Sequence, residues 1–165
     1  MKTLKIFIAI MAISISIAKA QFTKAEVQVS GLTCSMCSKA TEKSLRSLSF
    51  VGDVKPDLNR NIFIVTFKKD AAVDFDKLSS KVQSAGFSVN NLKATYNFAG
   101  TKLSNNMFEY SGKHFHLVNA SDKDLNGPVT ITFLDKGFAP VATNKKYAPQ
   151  KTAAPDGRKV YCVAI

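Results

Sequence analysis

The chain has 165 residues, 45% hydrophobic and 21% charged, with a formal charge of +11. The basic excess is spread along the sequence without a long run of like charge, which argues for a solvated surface and against a nucleic-acid footprint. Three cysteines do not make the even-numbered framework of a disulfide-scaffolded secreted domain, so the pair Cys34 and Cys37 stands out, and Cys162 sits apart near the C-terminus.

The chain opens with Lys2 and Lys5, then an apolar run from Ile6 to Ile17 broken only by Ser14 and Ser16, then Ala18-Lys19-Ala20. This is the layout of a cleavable signal peptide over residues 1–20. The run is shorter than the roughly 18 apolar residues of a membrane span, and an uncleaved anchor is the plainer alternative. No cysteine follows Ala20 to take a lipid. The expectation is a secreted or periplasmic protein starting at Gln21, with no membrane span in the mature chain and no nucleic-acid partner.

Lys24–Ser30 alternates Ala25, Val27 and Val29 with Glu26, Gln28 and Ser30, the period of a half-buried strand. Gly31 ends it. From Cys37 the spacing turns helical, with Thr41, Leu45 and Leu48 on one face up to Phe50-Val51-Gly52. A second strand covers about Val51–Leu58, placed at an edge by Pro56. Asn59-Arg60-Asn61 reads as a tight turn, and Ile62–Lys68 as a strand. Asp74 is the expected N-cap of a helix carrying Phe75, Leu78, Val82 and Ala85, with Gly86 just beyond its end. A fourth strand runs from Phe87 to about Thr95.

Strand-helix-strand-strand-helix-strand is the split βαβ, or ferredoxin-like, order. Together with Gly31-Leu32-Thr33-Cys34-Ser35-Met36-Cys37 after the first strand and Ala85-Gly86-Phe87 before the last, residues 25–95 resemble the heavy-metal-associated domains. These are the modules of copper chaperones, metal-pump N-terminal tails and periplasmic mercury-binding proteins. The resemblance implies a soft metal ion held by Cys34 and Cys37, with Cu(I) favoured and Hg(II) or Zn(II) as the other candidates. It also implies a partner that is a metal-transporting membrane ATPase or another thiol-bearing protein. Most members carry Met where this chain has Leu32, a filler of similar volume that supplies no thioether. Phe87 stands where the likeness implies a hydrophobic lid over the thiols; a core phenylalanine at a strand start is the plainer reading. Met36, between the cysteines, reads as an exposed loop residue.

Thiolates suit a soft, low-coordination ion. The N-terminus of the helix after Cys37 favours the thiolate through its unpaired N–H groups. Other roles compete, an inert disulfide of the two half-cystines among them. A thiol–disulfide exchange protein would use the same CxxC, although thioredoxin-like sites place an aromatic residue before the first cysteine and this chain has Thr33. A structural zinc site would need four ligands where the turn offers two. An adaptor would use the domain as an interaction module alone. No paired carboxylates, Ser/His/Asp arrangement or phosphate-cradling loop points to an enzyme.

Beyond residue 95 no family resemblance carries the reading. Candidate strands are Lys93–Phe98, Met107–Tyr110, Lys113–Asn119, Val129–Leu134 and Lys159–Ile165, separated by Ser111-Gly112, Asn126-Gly127-Pro128 and Asp135-Lys136-Gly137. The overall class is therefore α+β: a domain at 21–95, then a small, mostly β domain at 96–165, expected as a barrel or sandwich. Ala139–Arg158 reads as a long surface loop. Strand Ile62–Lys68 is apolar on both faces, Ile62 and Ile64 on one and Phe63, Val65 and Phe67 on the other, so the face that the helices leave uncovered is expected to pack against the C-terminal half or a second copy. His114 and His116 share one strand face. With Cys162 they are the candidates for a second metal site, against the plainer reading of solvated histidines and a buried apolar cysteine.

Overall fold

The computed structural model describes residues 21–119, 125–148, 154 and 156–165; the expected leader, residues 1–20, lies outside them. Strands β1 (Gln21–Ser30), β2 (Val51–Asp57), β3 (Ile62–Phe67) and β4 (Ser88–Asn97) alternate with helices α1 (Ser35–Arg46) and α2 (Phe75–Ser84) in the order β1-α1-β2-β3-α2-β4. β1 is central, antiparallel to both β3 and β4, and β2 closes one edge by pairing with β3. This is the ferredoxin-like arrangement. The alternation in β1 puts Ala25, Val27 and Val29 inside. The helices lay their apolar stripes on that face, α1 through Thr41 and Leu45 and α2 through Phe75, Leu78 and Val82. Asp74 caps α2 as expected, its carboxylate accepting the Lys77 N–H at 3.1 Å.

Strands β5 (Met107–Tyr110), β6 (Lys113–Leu117), β7 (Pro128–Phe133) and β8 (Val160–Ala164) follow, with helix α3 (Val141–Tyr147) between β7 and β8. The hairpin between β5 and β6 turns on Ser111 and Gly112, both at positive φ, as a two-residue primed turn requires. The back half, expected to close into a barrel or sandwich, instead prolongs the front sheet. The strand order is β2-β3-β1-β4-β7-β8-β6-β5. β7 pairs antiparallel with β4, β8 antiparallel with β7, and β6 parallel with β8. The edge of β4 supplies the reason: its unpaired N–H and C=O groups are a template that the chain satisfies with its own later strand.

The extended sheet is open and curled. Three strands separate β4 from β5, about 19 Å if flat at the usual spacing between neighbours. Yet the rings of Tyr96 on β4 and Phe108 on β5 stack at 4.7 Å. The curl wraps Phe75 of α2, whose ring meets Phe22 at 4.7 Å and Phe133 at 4.6 Å and also reaches Phe115 and Tyr161. Polar contacts fasten the same helix to the back half. Ser79 Oγ donates to the Gly137 carbonyl at 2.9 Å, the Tyr161 hydroxyl to Asp76 at 2.8 Å, and Lys113 Nζ lies 3.1 Å from Asp74. One hydrophobic cluster therefore runs from Phe22 to Val163.

Two expectations change. The C-terminal half joins the sheet through β4 rather than stacking on the face of Ile62 and Ile64. Those isoleucines are half-buried, Ile62 between Gln28 and Asp57 and Ile64 between Glu26 and Lys55 in the cross-strand register. The stems of such polar neighbours can shield an aliphatic side chain. Within the segment read as loop, Val141–Tyr147 is helical, following Pro140 at φ −56°. This helix has no side-chain cap and buries no residue, so it leaves no apolar period in the sequence. No described helix is long and apolar enough to cross a membrane.

Candidate metal centre

The turn from β1 into α1 begins at Gly31, whose φ of +89° is open to glycine at little cost. A Cβ there would sit 3.6 Å from the Phe87 ring, so the loop runs close over that side chain. Leu32 and Phe87 are partly buried and pack against the core, which suits Leu32 as a filler and gives Phe87 a place in the apolar packing. Phe87 also continues the end of α2, its N–H donating to the Val82 carbonyl at 3.2 Å.

Cys34 is the N-cap of α1, with extended backbone, and its sulfur accepts the Cys37 N–H at 3.1 Å. The Ser38 N–H donates to the Cys34 carbonyl at 3.2 Å. The helix thus starts at Ser35, two residues earlier than its apolar period suggests, and both sulfurs stand at its N-terminus. Cys34 and Cys37 are joined by a disulfide, with Cα atoms 5.3 Å apart. Buried Thr41 anchors the first turn by donating its hydroxyl to the Cys37 carbonyl at 3.0 Å. The first turn holds no acidic residue, so no carboxylate there opposes negative charge on sulfur, and the Cys37 N–H that Cys34 caps would stabilise it.

Cys34 is exposed and Cys37 half-buried. Leu32, Thr33, Cys34, Ser35, Ser38, Leu58 and Asn61 line an open depression of about 180 Å³. Leu58, in that lining, is 54% exposed, and Met36, between the two cysteines in sequence, is 76% exposed. Met36 matches its reading as an exposed residue. The sequence places Leu58 at the end of the second strand with no tie to the thiols; the hairpin between β2 and β3 brings it to the depression.

Residues 26–88 match the heavy-metal-associated domain family. That match takes in most of β1, the CxxC turn, both helices and strands β2 and β3, and reaches only the first residue of β4. Solved structures similar to this chain include the yeast copper transporter domain CCC2A, 29% identical over 39% of this chain and 88% of that one, at a TM-score of 0.36. The N-terminal domain of ZntA is 26% identical over 45% and 93%, at 0.36. The N-terminal soluble domains of Bacillus subtilis CopA are 18% identical over 80% and 90%, at 0.41. None of the curated proteins matches the chain.

The remaining candidates separate. His114 Nε2 lies 3.2 Å from the Asp156 carboxylate and has Glu109 and Val160 as cross-strand neighbours. His116 sits one rung further along, between Met107 on β5 and Cys162 on β8. The three residues expected together therefore fall on two rungs. Among the described residues no three or more His, Cys, Asp or Glu side chains could hold a metal ion.

Proposed function

We propose that the chain captures a soft metal ion, Cu(I) in preference, between the sulfurs of Cys34 and Cys37, and delivers or sequesters it outside the cytoplasm. The observation that carries this reading is the placement of both sulfurs at an accessible helix N-terminus in a stretch matching the heavy-metal-associated domain. Capture begins with reduction. A thiol reductant supplies two electrons and two protons, opens the disulfide and leaves two thiols. Each thiol then gives up its proton as the ion binds, and two thiolates around a monovalent ion leave one net negative charge. The helix N–H groups favour that charge. The same argument selects the metal: two thiolates complete the shell of a soft monovalent ion, whereas Zn(II) asks for four ligands.

Release follows from exposure. An ion at the surface can be approached by a partner's thiolate, which replaces Cys34 and Cys37 one at a time. Such a partner is a metal-transporting membrane ATPase or another thiol-bearing protein, and the role is one of carrying a cation rather than transforming a substrate. Export through residues 1–20, to the periplasm or beyond, belongs to the same proposal. Competitive titration of the reduced chain against a Cu(I) chelator tests it. The chain takes one Cu(I) more than its Cys34→Ser, Cys37→Ser variant; equal uptake by the two would overturn it, and point to thiol–disulfide exchange as the use of the pair.

A further inference from the structure

The cross-strand register of the back half puts three soft or nitrogen donors in one row. Met107 on β5 is the partner of His116 on β6, and His116 is the partner of Cys162 on β8. Partners in register project from the same sheet face. The alternate residues Phe108, Phe115 and Tyr161 are buried in the main core, so the row belongs to the opposite face. Cys162 is buried and stands apart from the main hydrophobic cluster. Nδ1 of His116 is also buried and has no hydrogen-bond partner among the described residues. A buried nitrogen without a partner costs free energy unless something satisfies it.

We infer that His116 and Cys162, flanked by Met107, form a second site for a soft monovalent cation, independent of the CxxC turn. Adjacent partners on one face hold their Cβ atoms about 5 Å apart. Metal bonds of about 2.0–2.3 Å from nitrogen and sulfur let one ion sit between two such side chains. The thiol loses one proton on binding, so a thiolate, a neutral imidazole and a monovalent cation sum to no charge, as a buried position demands. A divalent ion would leave a net positive charge and an incomplete shell. Asp135 steadies the thiol's backbone by accepting the Cys162 N–H at 2.7 Å. Access is from the β5 edge, where Met107 and His114 help line an open cavity of about 310 Å³; the Met107 thioether is the first soft donor that an ion entering there would meet.

The test uses the reduced full-length chain carrying Cys34→Ser and Cys37→Ser, so that failure here is distinct from failure of the CxxC reading. Titrated against the bicinchoninate complex of Cu(I), it should retain one Cu(I). His116→Gln should weaken retention about tenfold or more, and Met107→Leu should weaken it by a smaller factor. A chain that retains no Cu(I), or retains it undiminished by His116→Gln, overturns the inference. Should that substitution disturb folding, the ring-nitrogen resonances of His116 in the Cys34→Ser, Cys37→Ser chain with His116 intact decide. They should move on adding one equivalent of Ag(I), and resonances that stay in place refute the site.

Discussion

Phe75 is the first residue of α2, fully buried, and its ring touches both halves of the chain. Replacing it with alanine removes a side chain packed on Phe22, Phe67, Phe115, Phe133 and Tyr161. Truncating a buried phenylalanine costs about 3–5 kcal/mol. Two of its ring pairs lie below 5 Å, each worth about 0.5–1.5 kcal/mol beyond area, which places the expected loss near the upper end. Against a typical domain stability of about 5–15 kcal/mol, Phe75→Ala should leave the fold marginal. Urea unfolding gives the size of the loss. Amide exchange at Val65 on β3 and Leu117 on β6 shows where it falls, and both should lose protection together because the ring joins the two segments. Two separate transitions, or a loss confined to residues 96–165, would refute a shared core.

Other substitutions probe single links. Gly31→Ala forces a side chain into a φ of +89°, where the nearest atom is only in ordinary contact; the cost is backbone strain of about 1–3 kcal/mol, read as a lower urea midpoint. Tyr161→Phe removes the hydroxyl that donates to Asp76; a loss of about 1.5–3 kcal/mol is expected for a bond to a charged group, and Asp76→Asn should recover part of the difference between Tyr and Phe at that position. The pH dependence of stability follows from Asp74. Partial burial works to raise its carboxyl, but the Lys77 N–H and the Lys113 ammonium outweigh it and hold the group below its ordinary value. A depressed carboxylate stabilises the fold above its unfolded pKa, about 3.9, and that contribution disappears as pH falls through the folded value. Acid titration by circular dichroism should show the loss below about pH 4, and Lys113→Met should move it to higher pH.

The front half is legible in the sequence because its signals are local. The period-2 alternation of Ala25, Val27 and Val29, the helical spacing from Phe75 to Val82, the Asp74 cap and the Gly86 stop each lie within one element, and all four recur in the structure. The CxxC turn is equally local. The back half is decided by pairings far apart in sequence: β7 seeks the edge of β4, and β6 pairs in parallel with β8 across a long connection. Nothing in Met107–Tyr110 or Val160–Ala164 specifies its neighbour. His114 and His116 share a face by parity, as expected, but only the register separates them and brings Met107 to His116. The double role of Phe75, facing β3 and β6 at once, is a property of the curled sheet and has no trace in the spacing of α2.

The most direct measurement on the central claim is Cu K-edge X-ray absorption of the reduced His116→Gln chain, so that the CxxC turn is observed by itself. With one equivalent of Cu(I) the account predicts a first shell of two sulfurs that vanishes in the Cys34→Ser, Cys37→Ser background. A shell of nitrogen and oxygen, or a sulfur shell unchanged by those two substitutions, would contradict it.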